Sequence, residues 1–169
     1  NYTVLSRLPN FLDKAAKAGA INKSVRVYLT EFGVQSLPDN LLGLTYQDQV
    51  DLRARVDRDA YFNKRIRGFS QYPLTDDNPG KDALGCPAYG GFETGLRKFD
   101  GTAKPSFAAF GLALDVKPSG TKVSIWGLVR RASAATTVVV ERRVAGKGSW
   151  KSWKTVKTKS NGPFATSVS

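Results

Sequence analysis

The sequence contains no histidine. That absence rules out Ser-His-Asp and Cys-His catalysis within the chain and removes the commonest metal ligand, so carboxylate chemistry is the route left to an enzyme. Cysteine is nearly missing as well. Cys86 stands alone in Gly85-Cys86-Pro87, which forbids an intrachain disulfide, and with no histidine to activate it the thiol reads as a loop bystander. No apolar stretch approaches the roughly 20 residues of a membrane span, and no low-complexity run interrupts the chain. Nothing in the residue pattern calls for a cofactor, or for a metal apart from calcium as one reading of Asp76-Asp77. Acidic residues are scarce in one region only: residues 116–169 hold 11 Lys and Arg against the single acid Glu141, whereas residues 1–115 hold 15 against 13. The formal net charge of +12 therefore sits almost wholly in the last third. A Pro118-Ser119-Gly120 turn at the same place marks a boundary, giving expected domains 1–115 and 116–169.

What is present is globular in composition, with 41% hydrophobic and 11% aromatic residues, and 169 residues suffice for one domain and a small companion. There is no N-terminal signal pattern. Residue 1 opens into helix-like sequence and Ser169 falls within a strand-like one, so both ends are expected to be cut, and the missing leader does not decide secretion. Leu8, Phe11, Leu12, Ala15 and Ala16 share one face of a helix that Ser6 caps, Pro9 opens and Gly19 stops. Val25 to Phe32 then reads as a buried strand ending in Glu31, with Gly33 letting the chain turn. A carboxylate is costly to bury mid-strand but at home at the mouth of a sheet. A solvated strand-end glutamate, or one paired with an arginine, is the plain alternative.

Thr45-Tyr46-Gln47-Asp48 has the form of a helix cap. Leu52, Val56 and Ala60 give the following helix, to about Asn63, a narrow apolar stripe, with Asp51, Arg53, Arg55, Asp57, Arg58 and Asp59 expected on its solvated face. Ile66 to Tyr72 is a second strand, stopped by Pro73. Leu74 to Ala88 is a long loop, of a length that is often functional. Gly91 to Arg97 reads as extended, and Lys104 to Leu114 as a last helix. The order helix, strand, helix, strand, helix is the rhythm of parallel βα units. From Lys122 onward, Val123–Leu128, Thr136–Arg143 and Trp150–Thr158 read as short antiparallel strands, with room for about four before Ser169. The expected fold class is thus α/β followed by all-β, the second part an incomplete β-sandwich.

Thr30-Glu31-Phe32-Gly33 after a hydrophobic run, then Phe69-Ser70-Gln71-Tyr72-Pro73-Leu74-Thr75-Asp76-Asp77, and then Gly95-Leu96-Arg97 with Lys104-Pro105 leading a final helix, carry a resemblance. Over residues 5–115 the chain resembles the last two βα units of a cellulase-like (β/α)8 retaining glycoside hydrolase. The remainder is similar to the small immunoglobulin- or fibronectin-like domains appended to secreted bacterial hydrolases. The resemblance implies that Glu31, at the family's nucleophile position, attacks the anomeric carbon of a β-linked polysaccharide or oligosaccharide, and that the acid/base glutamate lies on upstream sequence. It further implies an extracellular, secreted protein and a fragment inactive by itself. Sites of this fold gather at the carboxyl ends of the strands, where Glu31 stands, and retaining hydrolysis needs two carboxyl groups about 5–5.5 Å apart. Many relatives place a Trp on the last strand; here Phe69, Gln71 and Tyr72 stand instead.

Tyr72 and Gln71 are expected beside the substrate or in packing. Asp76 and Asp77 are expected to bind sugar hydroxyls or calcium, or to form an ordinary turn. Glu93 has no partner nameable from sequence. Trp126, Trp150 and Trp153 among lysines and arginines suggest packing, adhesion to an acidic polysaccharide or cell wall, or glycan binding. A non-catalytic binding module with this basic β domain as its working end is therefore the alternative function. Patterns for sequence-specific nucleic-acid recognition are absent.

Overall fold

The structure, a computed structural model, describes residues 4–80, 84–85, 88 and 91–169; Cys86 and part of the Leu74–Ala88 loop lie outside the described residues. The chain divides into two compact units, Asn1–Ala108 and Ala109–Ser169. The architecture is mixed α/β, with three separate sheets among the described residues. No helix among the described residues is long and apolar enough to cross a membrane.

In the first unit, α1 (Val4–Lys17), β1 (Val27–Phe32), α2 (Tyr46–Phe62) and β2 (Ile66–Gln71) follow in order, and β1 pairs with β2 in parallel. Leu5 of α1 with Val56 and Ala60 of α2 form a buried apolar cluster, and Leu29, Phe32, Ile66 and Phe69 of the strands pack against it. Both helices therefore cover one face of the strand pair.

Helix α1 starts about a turn earlier than the sequence suggests, and Pro9 lies inside it. Its buried positions are Leu5, Pro9 and Ala16, while Leu8 and Phe11 are exposed. A proline inside a helix leaves the carbonyl four residues back without its usual donor. Here that carbonyl belongs to Leu5, and Asn63 Nδ2 donates to it at 3.0 Å from the end of α2. The helix continues past Pro9 because a side chain from its neighbour takes over the missing bond.

Helix α2 begins as expected. Thr45 is its N-cap, with its hydroxyl accepting from the Asp48 amide at 3.1 Å and donating to the Asp48 carboxylate at 2.6 Å. The expected solvated face is corrected at two positions. Arg53 and Asp57 are both buried and pair one turn apart at 3.3 Å. The Arg53 guanidinium lies 4.5 Å from the Phe69 ring centroid and 5.5 Å from that of Phe32, and donates to Gln71 Oε1. Aromatic faces and an amide on the strands make room for a charge there.

The sequence places a helix through Leu114, but α3 (Pro105–Gly111) gives way to β3 (Leu112–Ser119). The second unit continues with β4 (Lys122–Val129), β5 (Thr137–Val144), β6 (Lys147–Lys157) and β7 (Pro163–Val168). A three-stranded antiparallel sheet runs β3-β4-β7, and β5-β6 form a separate hairpin. Ile125, Phe164 and Val168 of the sheet share an apolar cluster with Val138, Val140, Trp153 and Val156 of the hairpin. The division between units lies ahead of the charge boundary at 115/116, since β3 already belongs to the second.

Candidate functional site

Because β1 and β2 are parallel, the loops that follow both strands leave the sheet at the same end. The strands are held together there by Phe32 opposite Gln71 and by the Tyr72 amide donating to the Phe32 carbonyl at 2.9 Å. The register slips between Leu29 and Phe32, with one more residue on β1 than on β2. Such a bulge turns the local side-chain directions. Leu29 and Phe32 then both pack toward the helices, and Thr30 and Glu31 between them are both exposed. On the strand face away from the helices, Tyr28 lies across Gly68, where a Cβ would stand 2.6 Å from the tyrosine ring. Glu31 thus ends β1 in solvent, and among the described residues no ion pair or hydrogen bond engages its carboxylate. Gly33 serves a purpose other than a turn. A Cβ there would sit 2.3 Å from Thr94 Cβ and 2.6 Å from the Tyr72 carbonyl, so the two loops meet on the glycine.

Of the other residues singled out from sequence, Tyr72 is partly exposed, its ring edge-on to Phe92 at 5.7 Å. Gln71 is occupied: its Oε1 accepts from Arg53, and its Nε2 donates to the Thr94 carbonyl at 2.8 Å and the Pro73 carbonyl at 3.2 Å. Asp76 is buried, with its carboxylate 2.7 Å from Lys104 Nζ and accepting from the Gly95 amide at 2.8 Å. Asp77 accepts from the Phe92 amide at 3.0 Å.

These contacts belong to a buried polar cluster that sequence reasoning missed. The Lys104 ammonium, wholly enclosed, donates to Asp76, to Ser36 Oγ at 2.9 Å and to the Glu93 carbonyl at 3.0 Å. All three of its N–H groups are used. Glu93 itself is 1% exposed. Its Oε2 accepts from Gln35 Nε2, which also donates to Asp39 at 2.9 Å, while its Oε1 meets no partner among the described residues. Burial pushes the Glu93 carboxyl above the usual range, against smaller opposing effects of its hydrogen bonds. Burial likewise raises Asp76 and lowers Lys104, and each charge draws the other part of the way back. Asp39 is held low, first by its bond from Gln35 and then by the amides of Leu41 and Leu42.

A cavity of about 310 Å³ opens onto the cluster, with Asp76, Asp77, Glu93, Tyr46, Pro38 and Phe99 among its lining. It brings Asp76 and Asp77 together with Glu93, and includes none of Glu31, Gln71 or Tyr72. Two further hollows, of about 350 and 470 Å³, adjoin Asn63 ahead of β2. Among the described residues no three histidine, cysteine, aspartate or glutamate side chains could hold a metal ion together. Only the Lys104-Pro105 pair, a charge leading an apolar helix, hinted at the cluster in the sequence.

No family model matches the chain, and no curated protein matches it. Among solved structures, the chain is similar to an FMN-binding β-glucuronidase from Facaelibacterium prausnitzii L2-6, with a TM-score of 0.41 and 14% identity. The match covers 97% of this chain and 26% of the other, so the chain spans about a quarter of that protein's length. A likeness this distant carries no argument about activity.

Proposed function

We propose that the first unit belongs to a secreted, (β/α)8-type retaining glycoside hydrolase acting on β-linked glycans, with Glu31 as nucleophile. One observation carries this reading. Glu31 is a carboxylate at the carboxyl end of a parallel strand, turned into solvent by a bulge and, among the described residues, without an ion pair to neutralise it. In the first step its carboxylate would attack the anomeric carbon as the glycosidic C–O bond breaks. A second carboxyl group, proposed to lie on upstream sequence, would give its proton to the leaving oxygen. Water would then cleave the glycosyl ester, with that second group as base. Tyr72, partly exposed just beyond β2, is the side chain proposed to meet a sugar face. Gln71 and Asp76 are committed to their own loops and are proposed to shape the rim rather than touch the sugar.

The experiment uses the longer protein in which the acid/base is restored. Incubation with a 2-fluoro glycoside carrying an activated leaving group should leave a stable sugar ester on Glu31, found by peptide mass mapping. Glu31→Gln should lower kcat by about 10⁴-fold or more, as removal of a nucleophile generally does, with unchanged circular dichroism. An ester on another carboxylate, or turnover kept by the folded variant, removes Glu31 from the mechanism.

A further inference from the structure

The second unit carries a feature that the hydrolase reading does not use. The near half of the β5-β6 hairpin buries Val138, Val140, Trp153 and Val156 against the three-stranded sheet. The far half, residues 141–152, is exposed at every position. It bears Arg142, Arg143, Lys147 and Lys151 against the single acid Glu141. The Lys147 and Lys151 ammonium groups have no hydrogen-bond or ion-pair partner among the described residues. Arg143 stacks on the exposed Trp150 ring at 4.8 Å, and Arg142 stands over Trp153 at the same distance.

A guanidinium laid on an indole is held in place while the N–H edges of its fork stay free to donate. Four cations with one acid between them repel one another, and a Debye length of about 8 Å at physiological salt does not screen neighbours on one ribbon. Both facts favour an occupant that brings a row of anionic oxygens. Binding of single-stranded nucleic acid relies on aromatic rings open for base stacking. Here both indoles already have a guanidinium over a face.

We infer that the far half of the β5-β6 hairpin is a docking surface for a linear acidic polysaccharide, with Arg142, Lys147 and Lys151, which the pairing of Arg142 with Lys151 and of Val144 with Lys147 puts on one face of the ribbon, contacting its carboxylate groups. The inference is independent of Glu31, and the two fail separately.

The test uses the 169-residue chain with a polyuronate dodecamer, a neutral glucan of the same length and a DNA duplex, each at 50 mM and 200 mM salt. Two triple variants lose equal charge: Arg142→Gln/Lys147→Gln/Lys151→Gln on one face of the ribbon, and Lys117→Gln/Lys122→Gln/Arg131→Gln elsewhere in the same unit. The polyuronate should bind, more weakly at the higher salt, and the neutral glucan should not. The ribbon variant should lose at least tenfold in affinity and the control less than threefold. Lys147→Glu alone, at the open turn, should lose at least threefold and keeps the test decisive if the triple variant misfolds. Equal losses in the two triples, equal binding of neutral glucan, or tighter binding of the duplex than of the polyuronate would each overturn the inference.

Discussion

Replacing Lys104 by Met tests whether the enclosed ammonium holds the loops of the first unit together. Lys104 has no exposed side-chain surface and Asp76 only 3%, so water cannot take the place of the lost partner. The substitution leaves Asp76 with the Gly95 amide alone and strips a donor from Ser36 Oγ and from the Glu93 carbonyl. Breaking a buried pair from one side costs about 3–5 kcal/mol, because an uncompensated charge remains. The double variant Lys104→Met/Asp76→Asn removes that charge and should regain about half of the loss. The pH dependence has a definite sign. With its cation gone, Asp76 holds a proton more tightly in the folded state than in the unfolded one, so the folded state is favoured as pH falls. The destabilisation should therefore be smaller at pH 5 than at pH 7.5. The assay is urea unfolding read in two ways. Far-UV circular dichroism at 222 nm follows α1 and α2, whereas Trp126, Trp150 and Trp153 all lie in the second unit, so their emission reports on that unit. The dichroism transition should move and the emission transition should stay. A loss below about 1 kcal/mol, or a double variant no better than the single, would refute the account of the cluster.

Three further outcomes follow from the same contacts. Glu93→Gln should stabilise the fold at pH 7.5 by about 1 kcal/mol, since it removes a buried charge whose Oε1 has no partner. The wild type should lose stability as pH rises above the ordinary glutamate range, because the folded-state carboxyl binds its proton more tightly, and the variant should show less of this decline in urea midpoints. Asn63→Ala should cost about 1–2 kcal/mol by orphaning the Leu5 carbonyl, and adding Pro9→Ala should recover part of it by returning a helix N–H; additive losses would count against that account. Gly33→Ala should cost about 1–3 kcal/mol by overpacking, and Thr94→Ala should relieve only the part due to the Thr94 hydroxyl, because the Thr94 Cβ that alanine keeps and the Tyr72 carbonyl still block the new methyl; thermal melts by dichroism would show it.

Where local chemistry decides, the sequence was legible. The Thr45 cap and both parallel strands follow from residue type and spacing over a few positions. β3 did not, because Leu112, Leu114 and Val116 are the exposed residues and the buried one is the small Ala113. An apolar pattern facing solvent, running straight on from Pro105, reads as more helix. Arg53 and Asp57 look like an ordinary surface pair one turn apart; their burial is decided by Phe32, Phe69 and Gln71 on the strands. Glu93 could not be understood without Gln35, 58 residues away, and Lys104, whose partners come from the β1–α2 connection and from two distant points of the β2–α3 connection. Glu31 was the easiest to place, since a strand end needs only the strand.

The β1-β2 pair is a wall finished on one side. Helices clad its back, but among the described residues neither outer border is paired, and Tyr28 fronts open water. Unshared amides along such borders recruit whatever extended backbone comes near. Were further strands to dock there, Glu31 would gain a roof and drier surroundings; were a second copy of the same pair to dock instead, clumping would result. Solubility and the proposed chemistry thus hang on one circumstance, the identity of the backbone that lies along those borders.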